Sequence, residues 1–509
     1  MRDEYVDFLV DKGLEAVNTR MKYAAITTSE GKILYVSENK PLNPAMVTDF
    51  YQLTMCAAYL MNNKENDMAT FNMLYRTNPF QGAYTIFMGL ERILEFLKEF
   101  QYTGEDIDFL RAQYKMPERL WEYLRELPVR LTCEAMLEGS MAQPYLPLIQ
   151  ITAPLPMANI IETQLLTITG YPTMVGTKAA RVTSQSPNPW LEFGLRGAPD
   201  FYSSLEASKA AYICGGSGTS NVAAHQVYNV PAKGTMSHAF IMAFPKQLDS
   251  FVSYGKVFGK DSVFLIDTYG HIEGAKDAIK AAEILGLDTF KGTRDDSGDL
   301  AAHSREVRKI LDDNGFERVK ISASNEIDEY KRHELLQQGS AIDFEGCGRR
   351  IVTMPDSGMV YKLVQLEMAS GELRYTIKIS ANDEKITDPG RKSVYRFTKD
   401  GYYDGDVMML DLEEKPRGSI TARHRQKRFI YKKFEGEGVP LLHTFIDDGD
   451  IIYSGLPTTD ELKHFVSEEM KKMWPEMLRL SNPAEYPTYV SKHAQSIKDI
   501  LIEKHTIRL

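Results

Sequence analysis

The chain has 509 residues and is 43% hydrophobic, enough for a large core and more than one structural region. Lys plus Arg number 60 and Asp plus Glu 70, a formal charge of −10, which argues against bulk nucleic-acid or anionic-membrane binding but leaves room for a local phosphate pocket. Cys56, Cys133, Cys214 and Cys347 form no Cys-x-x-Cys pair, so free thiols in a reducing cytosol are expected. The acidic N-terminus lacks the apolar core of a signal peptide, and no stretch is apolar enough to span a bilayer, so a cytoplasmic location is expected.

Residues 1–40 read as a helix and then a hairpin, with two β-like runs around Ser29-Glu-Gly31. Asn43-Pro44 marks a boundary. Thr48-Asp49 reads as an N-cap for an amphipathic helix over 50–60, and a second helix is expected from Gly89 to Phe100. The centre alternates. Short β-like runs fall at 146–152, 233–240, 263–267, 289–291, 319–323 and 341–344. Helices are expected at 275–285, 300–313 and 329–338, apolar on one face as at Val307, Ile310 and Leu311. Repeated strand–helix units predict a parallel α/β sheet, either a barrel or an open sheet. From Tyr361 the pattern turns β-rich, and two helices are expected at 459–473 and 485–502.

In a barrel, polar residues at the strand C-termini gather at one mouth. Asp267, Arg294, Asp296 and Asn325 fall there. The segment Arg294-Asp-Asp-Ser-Gly-Asp299 reads as a strand end opening a helix, with backbone N–H groups for a phosphate and Asp296 for a ribose diol. An acidic N-capping turn explains it equally well. Gly346 and Gly348, before Arg349 and Arg350, permit close backbone approach to an anion, or form an ordinary tight turn. Arg196 suits a carboxylate or phosphate, or pairs with a surface acid. His238, in Gly234-Thr-Met-Ser-His, is either a hydrogen-bonded loop histidine or a nucleophile toward phosphorus, with Asp267 orienting its other ring nitrogen. Tyr51 is either a core residue or an aromatic face for a flat ring.

These segments together resemble the nicotinate phosphoribosyltransferase family. The resemblance rests on Thr48-Asp-Phe-Tyr-Gln-Leu-Thr-Met55, Glu192-Phe-Gly-Leu-Arg196, Gly218-Thr-Ser-Asn221, Gly234 to Phe240, Asp296-Ser-Gly-Asp-Leu300, Ser324 to Tyr330, Tyr361-Lys-Leu-Val364 and Pro389-Gly-Arg-Lys392, in that order, over residues 44–400. It implies an α/β fold: an irregular (β/α) barrel of the type II phosphoribosyltransferase kind, plus a second α/β domain formed from both chain ends. The expected division is an extension at 1–40, a discontinuous domain of 41–150 with 370–509, and the barrel at 151–369.

The implied reaction joins nicotinate to phosphoribosyl pyrophosphate, with ATP hydrolysis as a ligase-type drive and Mg²⁺ beside it, in a homodimer with shared sites. Carried onto this sequence, His238 is the phosphorylated histidine, Asp267 its partner and Asp296 the ribose ligand. Ser237, Arg294, Gly346 and Gly348 join the substrate site, as do Thr177, Lys178 and Arg181 as phosphate candidates. Arg196 lies near the substrate's ring and carboxylate, and Tyr51 of a second subunit stacks on the ring. No dedicated protein metal site is expected. Three positions depart from the family pattern: Gly197 stands where many members have a second arginine, Gly270 where they have an acid, and the phosphate loop reads Phe344-Glu-Gly-Cys-Gly-Arg349. The alternatives are a nicotinamide-specific relative, a silent nucleotide-binding relative and an unrelated βα-barrel metal hydrolase, which would need clustered histidines.

Overall fold

The structure is a computed structural model, and it describes residues 23–27, 33–37, 42–127 and 129–506. The expected N-terminal hairpin forms: strand Tyr23–Thr27 pairs antiparallel with Ile33–Ser37. The helix expected before it lies outside the described residues.

Three larger sheets organise the rest. A seven-stranded antiparallel sheet has at its centre Val360–Glu367, Met68–Leu74, Ile149–Pro154 and Thr132–Ala135. The helices Phe50–Met61, Leu90–Glu99 and Glu118–Glu126 bury Leu53, Ile93 and Trp121 in the same core as Ile149 and Ile151 from this sheet. A six-stranded sheet gathers the C-terminal β-rich region around Lys392–Lys399, Tyr402–Leu410 and Thr488–Val490. Inside it Arg396 grips Asp406 through two 2.8 Å hydrogen bonds, a buried pair made tolerable by its fork geometry.

The third sheet positions the site. Its five strands run in the order Trp190–Glu192, Phe344–Cys347, Lys320–Ala323, Gly292–Asp295 and Val263–Leu265, every neighbouring pair parallel. Beyond Trp190–Glu192 it continues through single bridges, Glu192 to Thr219 and Thr219 to Ala232. The far side then curls back, because Arg294, on the fourth strand, donates to Thr235 Oγ1 and, at 2.9 Å, to Met236 O. The result is a half-barrel drawn together by a side chain rather than by a closing ladder. Helices His271–Ile284, Leu300–Asp313 and Glu329–Gln337 follow successive strands. The apolar faces of the first two, with Ala278, Val307 and Leu311, meet a stack of rings: Phe264 lies 4.9 Å from Phe251 and 5.2 Å from Phe290.

The helices match the expectations except the one expected at 485–502, which begins at Lys492 and runs to His505 because Thr488–Val490 is taken as a strand of the six-stranded sheet. Four of the expected strand runs are corrected. The runs expected at 289–291 and 341–344 form later, at Gly292–Asp295 and Phe344–Cys347. Glycine reads as a turn residue, yet here it is a strand residue where another group comes close. A Cβ on Gly292 would sit 2.6 Å from Lys320 O, and one on Gly346 2.6 Å from the Phe193 ring. The run at 146–152 forms strand Ile149–Pro154, but in the antiparallel sheet. The run at 233–240 is no strand: it crosses the mouth of the half-barrel as open chain and ends in helix His238–Met242. The four cysteines are free and buried. Among the described residues no helix is long and apolar enough to cross a membrane.

Candidate active site

At the C-terminal ends of the parallel strands lies an open cavity of about 700 Å³. Phe193, Arg196, Thr235, Arg294, Asp296 and Gly346 line it. They come from three strand ends, after Trp190–Glu192, at Gly292–Asp295 and in Phe344–Cys347, and from the crossing segment at Thr235, which is how a parallel sheet concentrates polar groups at one edge.

His238 begins its short helix after Ser237, which occupies the cap position without a side-chain cap bond. Its ring is held from one side only. Nδ1 lies 3.0 Å from Thr268 Oγ1, while Nε2 faces Asp267 Oδ1 at 3.9 Å and Asp296 Oδ2 at 3.8 Å. Thr268, not Asp267, therefore sets the ring orientation. The two carboxylates stand at ion-pair range from the free nitrogen. Asp267 is itself fixed, accepting a 2.7 Å hydrogen bond from Ser297 Oγ, yet its buried Oδ1 has no hydrogen-bond partner among the described residues. An orphaned buried carboxylate oxygen is costly to a fold, and so points to a ligand or ion that completes it.

Arg294 reaches into the same space. Burial pulls its guanidinium down from the usual arginine value, against the opposing charges of Asp296 and Asp267. The loop carrying Asp296 is braced from below by Asp295, which accepts from His303 Nδ1 at 2.9 Å. Burial pushes the Asp295 carboxyl up, and His303 works against that shift. His303 in turn stacks on His271 at 3.7 Å, so the loop after Asp267 and the loop after Asp295 share one pair of rings. Gly298 has φ +71°, and its Cβ would strike the His303 ring at 2.4 Å, so this turn requires glycine on two counts. Across the cavity Glu192 anchors the Phe193–Arg196 turn. It accepts from Gly194 N, Thr219 Oγ1 and, at 3.1 Å, Ser208 Oγ, while burial pushes its carboxyl up.

Four of the expected residues lie elsewhere. Thr177 sits inside helix Glu162–Ser184, donating to Thr173 O at 2.7 Å and accepting from Ile86 N at 2.9 Å. Lys178 and Arg181 are buried against Glu329, at 2.5 and 3.1 Å. All three are occupied with packing the helix. Tyr51 is 48% exposed at the start of helix Phe50–Met61 and does not line the cavity. The structure adds residues that sequence reasoning passed over: Thr268, Ser297, Thr235, Phe193 and Glu326. Thr268 and Ser297 each lie one residue from a predicted carboxylate, and that adjacency was the only available signal.

Comparison with known proteins decides the family. The nicotinate phosphoribosyltransferase N-terminal domain model matches residues 46–169, and the C-terminal domain model of the same family matches 391–498. The chain is 36% identical over 460 residues to the nicotinate phosphoribosyltransferase of Bacillus subtilis, covering 89% of this chain and 94% of that protein. The chain belongs to the nicotinate phosphoribosyltransferase family. A second family member, from Caenorhabditis elegans, is 34% identical over 536 residues, covering 90% of this chain and 93% of that protein. The crystal structure of human nicotinic acid phosphoribosyltransferase superposes with a TM-score of 0.78 at 28% identity, over 89% of this chain and 99% of that one. As a member of this family, the chain has the α/β type II phosphoribosyltransferase fold with its second domain, as the resemblance implied.

Proposed function

We propose that this chain joins nicotinate to phosphoribosyl pyrophosphate, giving nicotinate mononucleotide and pyrophosphate for NAD salvage, and that ATP drives the reaction through His238. The observation that carries the ATP coupling is the His238 geometry: Nδ1 capped by Thr268, Nε2 facing Asp267 and Asp296, the second of which lines the cavity. With the Nδ1 proton on the Thr268 side, the Nε2 lone pair attacks the γ-phosphorus. A nitrogen–phosphorus bond forms, the bond to the bridging oxygen breaks, and its electron pair leaves with ADP. Water later releases the phosphate.

In the transfer step the C1′–oxygen bond breaks with oxocarbenium character and its electrons leave on pyrophosphate, while the pyridine nitrogen bonds to C1′. Nicotinate's ring nitrogen is already a nucleophile, so no strong base is required. The protein's task is to hold developing charge, a task for which Arg294 and the glycine loop at 346–348 are placed. Asp267 Oδ1, without a hydrogen-bond partner among the described residues, and Asp296 are the groups that would hold a Mg²⁺ ion. That ion would supply charge neutralisation on the leaving group.

Tyr51 supports a homodimer with shared sites. It is exposed and lies outside its own chain's cavity, so the ring-stacking role falls to a second copy. We further place the enzyme in the cytoplasm. The test is product formation from phosphoribosyl pyrophosphate with nicotinate or nicotinamide, with and without ATP. Nicotinate is expected to react, faster with ATP; product from nicotinamide alone refutes the reading. His238→Ala is expected to lose the ATP effect and keep slow ATP-independent transfer. Unchanged ATP hydrolysis in that variant refutes the phosphohistidine. Mixing Tyr51→Ala with His238→Ala chains is expected to restore part of the activity that each lacks alone; no recovery argues against shared sites.

A further inference from the structure

Two of the departures noted in the sequence, Gly197 and Arg349, prove to be one feature. Gly197 ends the turn Leu195–Gly197, and no positive φ obliges it to be glycine. What it lacks is room. A Cβ there would lie 2.7 Å from Arg349 Cγ, 3.4 Å from Arg349 Cβ and 3.3 Å from Val352 Cγ2. The Arg349 stem therefore fills the space that any side chain at 197 would need. The guanidinium above it stands at the lip of the cavity that Arg196 and Arg294 also line.

That guanidinium is held ready. Glu326, on the same cavity wall, accepts from Arg349 Nη2 at 3.1 Å and from Arg350 Nε at 2.9 Å. Glu326 and its neighbour Asn325 both have left-handed backbone, φ +52° and +100°, which turns the carboxylate back toward the two arginines. Two guanidinium groups on one carboxylate leave one positive charge over. With side chains 68% and 58% exposed, both keep donors free for a ligand. A partly fixed fork loses less conformational freedom when an oxyanion arrives.

We propose that Arg349 is an anion-binding, specificity-determining residue of this cavity, standing over Gly197 and receiving an oxyanion of the substrates through its bidentate fork. The oxyanion is either the nicotinate carboxylate or a phosphate of phosphoribosyl pyrophosphate. The assignment rests on the phosphoribosyl transfer reading above.

The experiment compares wild type, Arg349→Ala, Arg349→Lys, Gly197→Ala and the relocated double variant Gly197→Arg/Arg349→Ala. KM for each substrate and kcat are measured, with calorimetric titration of inorganic pyrophosphate as a readout that needs no turnover. R349A is expected to raise one KM at least tenfold with kcat little changed. A rise for nicotinate assigns the carboxylate, and a rise for phosphoribosyl pyrophosphate, with weaker pyrophosphate binding, assigns the phosphate. R349K keeps the charge but not the fork, so it should recover only part of the loss. G197A, whose methyl displaces the arginine stem, should reproduce part of it. Recovery in the double variant to within threefold of wild type supports the exchange of positions. R349A with both KM values and pyrophosphate affinity at wild-type levels overturns the proposal. A wild type that makes no mononucleotide from either base overturns the transferase reading instead, and the two failures are distinct.

Discussion

Glu329→Gln is expected to weaken the fold while leaving every side chain of the cavity in place. Glu329 is wholly buried and is the shared counter-ion of Lys178 and Arg181, whose side chains are 11% and 4% exposed. Neutralising it strands two cations, and breaking a buried ion pair from one side costs about 3–5 kcal/mol. Taking ~2.1 cal/mol/K of unfolding entropy per residue over 509 residues gives ~1.1 kcal/mol/K, so Tm should fall by ~3–5 °C for unfolding as one unit. Thermal melts at pH 7 read this directly. The triple variant Lys178→Met/Arg181→Met/Glu329→Leu replaces all three charges with apolar groups, and should melt within ~2 °C of wild type. An E329Q protein that melts with wild type refutes the reasoning. So does K178M with unchanged Tm and a tenfold higher KM for phosphoribosyl pyrophosphate, which would return Lys178 to phosphate binding.

Asp388 is buried between Arg425 at 2.8 Å and Lys498 at 2.6 Å. Burial alone would raise its carboxyl, but Arg425 and Lys498 overcome that and hold it well below the usual aspartate value. Its stabilising effect is present above about pH 4, the unfolded carboxylate value, and is lost as pH falls toward the lower folded value. Unfolding free energies of wild type and Asp388→Asn, from urea denaturation, should therefore differ by about 3–5 kcal/mol at pH 7 and converge in acid. Gly274→Ala is expected to lower both Tm and kcat: its Cβ would lie 1.9 Å from Ile266 O, so helix His271–Ile284 must move away from the strand end that presents Asp267, at a cost of about 1–3 kcal/mol or more. His303→Ala leaves Asp295 buried without its ring partner, a loss of about 1–3 kcal/mol measurable by urea denaturation, and loosens the Asp296 loop enough to lower kcat. Thr268→Val should leave stability near wild type and reduce the ATP effect, because Nδ1 loses the hydroxyl that orients it.

The helices following the parallel strands were legible because amphipathic periodicity and capping act locally: Leu300–Asp313 forms where its apolar spacing and the Asp299 cap place it. The strands were less so. Gly292 and Gly346 look like turn residues until the neighbouring carbonyl and ring that crowd them are known, and no local pattern reports a neighbour 28 residues away. Asp267 and Asp296 could be gathered from their positions at strand ends and His238 from its small-residue segment, although the strand expected before it does not form, and the fold brings the three together. Lys178 and Arg181 could not be placed correctly, since the glutamate that engages them lies about 150 residues on, with nothing in sequence to pair them. The exchange between Gly197 and Arg349 was visible as two separate oddities, and only packing joins them.

The half-barrel is drawn together across its mouth by the Arg294 side chain, and the chain from Gly234 to Ser237 has no strand partner on the way to His238. A histidine set in a rigid ladder could serve one orientation only. One carried at the end of an unladdered span, tethered upstream by a guanidinium and steadied by a single hydroxyl, has play. Under the phosphohistidine role proposed above, a residue loaded in one half-cycle and emptied in the next would use that latitude, which the absence of a strand at residues 233–240 leaves to His238.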